Sequence, residues 1–218
     1  MSIRKVSFAP FEFYHIYNRG NSKQKIFNDK EDYARFIGLL YACNQKGNFK
    51  SDNLNKGQWL FNIFVENPLV AIGAYCLMPN HFHILITQTE DGDISKFMQK
   101  VTTAYVMYYN KKYKRTGSLF EGKFKSEYAG SDRYLKYLFS YIHLNPIKLL
   151  DSKWKESGVK DKSEALNFLK QYISSSYLDY VGENRAQNKV LNIQAFPRYF
   201  PRQKDFTKEI FEWLSYKD

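Results

Sequence analysis

Cysteine is scarce in this chain: only Cys43 and Cys76 occur, each in apolar surroundings. Two such residues do not make a disulfide framework, and they read as buried free thiols in a reducing, cytoplasmic compartment. Long hydrophobic runs are lacking too. The longest, Leu69 to Met78, falls well short of the roughly 20 apolar residues that span a bilayer, so no membrane partner is expected. Arg4 and Lys5 are followed by no apolar stretch, which argues against a secretion signal. Acid is in short supply, with 22 Asp and Glu against 33 Lys and Arg. Histidine is scarcer still, with four in 218 residues, and no internal repeat is found.

What the chain does have is apolar and basic in combination. Hydrophobic residues make up 44%, enough for a real core, and aromatic residues 18%, with 18 Tyr and 18 Phe. The net charge is +11 and the pI about 9.4. Basic side chains release counterions from phosphates, and aromatic rings stack on unpaired bases. The composition therefore points to a polyanion partner, although a basic soluble protein can have the same composition.

The hydropathy pattern alternates over Phe11 to Asn18 as in a strand. Asn28 or Asp29 then offers an N-cap to a helix with Tyr33, Phe36, Ile37, Leu40 and Tyr41 on one face. Lys46 to Lys56 is polar and reads as a loop. Trp59 to Val65 fits a short strand or a short helix. Leu69 to Leu77 and His81 to Thr87 read as neighbouring antiparallel strands turning at Pro79–Asn80. Asp93 opens a long helix, Phe120 to Tyr128 reads as a strand, and Ser131 or Asp132 caps a third helix that ends near Asn145. This order predicts an α+β fold: a ferredoxin-like antiparallel sheet with helices on one face. Residues 1–150 form the expected core domain. Residues 151–218 form a mostly helical C-terminal extension packed on it, with helices expected over Ser163 to Ile173 and Phe206 to Leu214.

The densest chemistry lies in Pro79–Asn80–His81–Phe82–His83. Side chains alternate across a strand, so His81 and His83 share a face and Phe82 points the other way. Two adjacent imidazoles suit a metal, but two ligands do not make a site. Helical spacing puts Tyr141 and Asn145 one turn apart on the third helix, with Tyr134 and Tyr137 on the same stripe. A tyrosine hydroxyl can attack a phosphodiester, helped by a cation that neutralises the phosphate. The same stripe fits an ordinary core face equally well.

Met78–Pro79–Asn80–His81–Phe82–His83 resembles the signature of the single-tyrosine transposases of the HUH superfamily. Three further stretches resemble the REP-associated tyrosine transposase branch: Tyr14–His15–Ile16–Tyr17–Asn18–Arg19–Gly20, Gly117 through Ser126, and Tyr141–Ile142–His143–Leu144–Asn145–Pro146. Ser175–Ser176–Tyr177–Leu178–Asp179–Tyr180 is similar to that branch's C-terminal segment. The resemblance covers about residues 11 to 182. It implies a ferredoxin-like sheet with the histidine pair on a central strand. It also implies an enzyme that cleaves and rejoins single-stranded DNA through a 5′-phosphotyrosine, with Mg²⁺ or Mn²⁺ as cofactor and hairpin-forming DNA as partner. Carried over by position, His81 and His83 are metal ligands, Asn145 is the candidate third ligand and Tyr141 is the nucleophile. Relatives are dimers or monomers, so a monomer or homodimer is expected. The chain departs from the usual pattern between residues 46 and 68.

His143 lies about 200° around the helix from Tyr141 and is expected to be structural. His15 either faces the same site or caps the strand edge. Ser95 to Tyr137 carries ten basic residues against three acidic ones, interleaved with Phe120, Phe124 and Tyr128. Within and beside this stretch Arg19, Lys112, Lys114, Arg115, Lys123 and Lys125 are the candidate DNA contacts, the alternative being a solvated basic face. Two rival functions remain open: a single-strand binder without cleavage activity, and a metal-dependent phosphodiesterase that uses water.

Overall fold

The computed structural model describes residues 7–47 and 57–215. The Arg4–Lys5 start and most of the polar 46–56 stretch lie outside them. Among the described residues, strands β1 (Phe13–Arg19), β2 (Val70–Met78), β3 (His81–Gln88) and β4 (Lys125–Tyr128) form one sheet in the order β2-β3-β1-β4. Every neighbouring pair is antiparallel. Helix α1 (Lys30–Ala42) connects β1 to β2, and α2 (Asp93–Lys112) connects β3 to β4. Each connection steps over an intervening strand, which is the split β-α-β arrangement of a ferredoxin-like sheet. The α+β reading therefore holds, with the histidine strand at the centre. Trp59 falls in a 3₁₀ helix at Gly57–Asn62.

Alternation along the strands sorts the core. Phe82, Ile84 and Ile86 of β3 join Ile16 and Ile72 on one face, closed by Phe36 and Leu40 of α1 and by Phe97, Met98, Val101 and Tyr105 of α2. Each such side chain contributes about 1.5–3 kcal/mol when fully buried. The α1 start is fixed by Asp29, whose carboxylate accepts from the Asp32 amide at 3.1 Å.

The second face of the sheet is covered as well, so helices lie on both faces rather than on the one face expected from the sequence. Ala74, Cys76, Met78 and Leu85 are apolar there, and α3 (Asp132–Leu144) packs Leu135, Leu138, Phe139 and Ile142 against them. Beyond α3 come α4 (Ile147–Leu150), α5 (Trp154–Ser157), α6 (Lys162–Gln171), α7 (Tyr177–Tyr180) and α8 (Gln203–Ser215). Phe206, Ile210 and Leu214 of α8 belong to the same cluster as α3. The Ser174–Ser176 segment lies along the outer edge of β2: Leu77 N–H donates to Ser174 O at 3.0 Å and Ser176 N–H to Tyr75 O at 2.9 Å. That edge is therefore paired within the chain rather than open to another.

Two local departures from regular strand have simple causes. The pairing of β2 with β3 shifts between Ile72 and Ala74, and a Cβ on the intervening Gly73 would lie 2.8 Å from the Phe196 ring. The strand expected from Phe120 begins only at Lys125, because Gly122 has a φ of +115° and Phe120 makes only an isolated bridge to Gly20. Cys43 and Cys76 are buried free thiols, and burial pushes the Cys43 thiol up to about 12. Among the described residues no helix is long and apolar enough to cross a membrane.

Candidate active site

The site is assembled on the sheet face that α3 covers. Register places His15, Tyr17 and Arg19 of β1 opposite Leu85, His83 and His81 of β3, so all six side chains share this face. On the other side of β1, Glu127 of β4 lies opposite His15 and Lys125 opposite Tyr17. Helix α3 is started by Ser131, whose hydroxyl accepts from the Tyr134 amide at 3.2 Å. It lays Tyr134, Tyr137 and Tyr141 over these residues, enclosing a cleft of about 360 Å³ lined by His15, His83, Glu127 and the three tyrosines among others.

The two sequence-predicted histidines meet here. Their ring centroids are 5.0 Å apart and the rings are perpendicular. Tyr141 sits edge-on to His83 at 5.6 Å. Tyr137 shares the cleft but packs at 5.1 Å against Trp213 of α8, and its ring is 5.8 Å from Tyr141. Asn145 ends α3 and is buried. Its amide nitrogen donates to Tyr141 O at 2.9 Å, while its Oδ1 has no hydrogen-bond partner.

Each histidine is held by a neighbour. Asn80 Nδ2 donates to Lys23 O at 3.3 Å, which turns Asn80 Oδ1 toward His81 Nδ1 at 2.6 Å. His81 Nδ1 must then be the donor, leaving Nε2 with its lone pair. His83 Nδ1 is 2.8 Å from His15 Nε2. Burial holds His81 down to about 4, with the Lys148 and Arg19 charges adding to it. Burial, then His15, His81, Lys148 and Lys155, hold His83 well below 6.5. Both imidazoles are therefore neutral at pH 7, the form that ligates a metal.

Among the described residues no group of three or more His, Cys, Asp or Glu side chains is placed to hold a metal ion. A divalent cation at the histidine pair would need an oxygen donor beside the two imidazoles. Asn145 Oδ1 fits that need: a buried carbonyl oxygen without a partner, one turn from Tyr141.

Tyr141 is not activated by its surroundings. Burial raises its pKa, the Tyr137 and Glu127 charges add to that, and a hydrogen bond from Asn145 lowers it in part. Against this, Lys155 Nζ of α5 lies 4.3 Å from the Tyr141 ring centroid. A cation over the ring favours the phenolate. Sequence reasoning missed Lys155, Glu127 and Asn80. The Glu127 carboxylate accepts from Tyr17 at 2.9 Å and from Tyr134 at 3.1 Å.

The basic candidates separate into two groups. Lys112 is bound into a cluster with Asp29, Glu31 and Asp32, so its charge is spent holding α2 to the start of α1. Arg19 pairs with Glu121 through two nitrogens, and Arg115 lies over the Tyr109 ring at 5.5 Å. Lys114, Lys123 and Lys125 are exposed. His143 is structural. Its Nδ1 donates to Phe139 O at 2.7 Å, so its Nε2 accepts from Ser176 Oγ at 2.7 Å, tying α3 to the segment along the β2 edge.

A family model described as "Transposase IS200 like" matches residues 13–145. No curated protein matches the sequence. Among solved structures, a REP-associated tyrosine transposase bound to a REP hairpin is similar, with a TM-score of 0.54 and 14% identity over 92% of this chain and 99% of that chain. At that identity the likeness is one of fold.

Proposed function

The chain belongs to the IS200-like transposase family, and from that footing we propose that it is a metal-dependent transposase that cleaves and rejoins single-stranded DNA through Tyr141. The observation that carries the proposal is the seating of Tyr141 against His83, with the unpartnered Asn145 oxygen one turn further along the same helix. His81, His83 and Asn145 would hold the divalent cation, Mg²⁺ or Mn²⁺. When bound it supplies charge neutralisation and orientation of the scissile phosphate.

Tyr141 Oη attacks phosphorus as the bond from phosphorus to the 3′-oxygen breaks. The phenol gives up a proton and the leaving 3′-oxygen takes one up. The DNA 5′-phosphate is then esterified to Tyr141, and a second 3′-hydroxyl reverses the step to join new ends. The diester bond energy is conserved throughout, so no nucleotide is required. Lys155 stabilises the phenolate that burial and Glu127 disfavour. Tyr137, packed against Trp213, is a wall of the cleft.

The DNA proposed as partner is a hairpin-forming repeat in the cytoplasm, as the hairpin in the similar solved structure suggests. Lys125 shares the histidine face, and with Lys114 and Lys123 it offers exposed charge for the phosphate track. The test is a denaturing gel of protein with labelled single-stranded hairpin and Mg²⁺ or Mn²⁺. A covalent adduct is expected. Binding to the host's own repeats without any adduct would favour a non-catalytic binder, and release of a free 5′-phosphate would favour attack by water.

A further inference from the structure

Glu127, His15 and His83 stand on three adjacent strands, His15 between the other two, in an arrangement that no single stretch of sequence displays. His15 Nε2 is 2.8 Å from His83 Nδ1, a diagonal contact across β1 and β3. His15 is 4% exposed. Its other nitrogen, Nδ1, has no hydrogen-bond partner and lies 3.9 Å from Glu127 Oε2. The Glu127 carboxylate is itself held in place by the Tyr17 and Tyr134 hydroxyls.

At 2.8 Å one proton, and only one, lies between the two imidazoles. If His15 Nε2 carried it, His15 Nδ1 would turn a lone pair toward the Glu127 carboxylate, and His83 Nε2 would be protonated. If His83 Nδ1 carries it, His15 Nδ1–H faces the carboxylate, and His83 Nε2 keeps its lone pair. The first arrangement sets a lone pair against negative charge in a buried place. The second sets an N–H against it. At 3.9 Å the carboxylate acts through its charge rather than through a direct hydrogen bond.

We propose that Glu127 and His15 form a relay that fixes His83 in the Nδ1–H tautomer and so presents its Nε2 lone pair to the cation, making both of them positioning residues. This is the role that Asn80 fills for His81, performed for His83 by a second histidine and a carboxylate. Partners of this kind orient metal-bound histidines and raise their basicity. The inference rests on the reading that the histidine pair binds a divalent cation, but the tautomer itself does not.

The first test is a long-range ¹H–¹⁵N correlation spectrum of the full-length, metal-free protein. His83 is expected with a protonated Nδ1 and an unprotonated Nε2; a protonated Nε2 on His83 overturns the relay. The second test is calorimetric titration with Mn²⁺. His15→Ala should weaken binding by about 10- to 100-fold, with added imidazole restoring part of it, and Glu127→Gln by about tenfold. Wild-type affinity in His15→Ala would defeat the relay. Wild-type protein that binds no Mn²⁺ would defeat the metal reading instead, and the spectrum would still decide the tautomer. Glu127 is half exposed on a short edge strand, so Glu127→Gln keeps the test alive if His15→Ala does not fold.

Discussion

Tyr141 stands edge-on to His83 with ring centroids 5.6 Å apart, whereas Tyr137, one turn earlier, turns its ring to Trp213. Two tyrosines on one stripe thus have different neighbours. Tyr141→Phe should abolish covalent capture of a 5′-phosphate and leave hairpin binding within a few fold. Tyr137→Phe should keep capture. A denaturing gel beside a binding titration reads both. Capture by Tyr141→Phe, or its loss only in Tyr137→Phe, would move the nucleophile.

Much of this arrangement was legible in the sequence, and the exceptions share a cause. Period-two alternation around Phe82 put His81 and His83 on one face, and helical spacing put Tyr141 beside Asn145, because both rules act within a few residues. Glu127 is different. Nothing in Lys125–Tyr128 marks it, and it matters only because the register of β4 on β1 sets it opposite His15. Lys112 read as part of a basic track for the same reason. Its partners Asp29, Glu31 and Asp32 are some 80 residues away in sequence, and only the packing of α2 on α1 brings them together. The motif resemblances have physical counterparts of this long-range kind. Asn18 Nδ2 donates to Gly122 O at 3.0 Å and Glu121 N–H to Arg19 O at 3.0 Å, so the first motif and the glycine-flanked one are two sides of a single junction.

The histidines make stability depend on pH in one direction. Burial holds His143 at about 3, His15 at about 4 and His81 at about 4, and His83 well below 6.5. Each is depressed in the folded state, so the unfolded chain binds more protons below about pH 6.5. Stability is then fully present above that pH and falls as pH drops toward 4. The slope is roughly 1.4 kcal/mol per pH unit for each histidine that stays neutral in the fold. Calorimetric Tm values of the metal-free protein should decline from about pH 7 to about pH 5. A Tm that is level over that range would contradict the burial of these rings.

DNA binding should separate the lysines that the structure leaves exposed from the one it occupies. Lys114→Ala, Lys123→Ala and Lys125→Ala should each weaken hairpin binding and reduce the slope of log K against log salt by about 0.7–1. Lys112→Ala should leave that slope unchanged and lower Tm, because it strips the buried Asp32 of its cation. Equal slopes for all four variants would mean that the phosphate track runs elsewhere.

Lys155 links the helices that follow α3 to the chemistry proposed at Tyr141. It comes from α5, after the last strand and α3 in the chain, yet its ammonium lies 4.3 Å from the Tyr141 ring centroid, and its charge weighs on His83. A cation there does least for the neutral phenol and most for the phenolate proposed to attack, so its effect should fall on rate rather than on binding. Lys155→Ala should slow single-turnover cleavage by about 10- to 100-fold while the hairpin Kd changes by no more than about threefold. Lys155→Arg, which keeps the charge, should recover part of the rate. Were Lys155→Ala to weaken hairpin binding with the cleavage rate intact, the lysine would be a phosphate anchor, and the phenolate would have to be stabilised by the cation at His81 and His83.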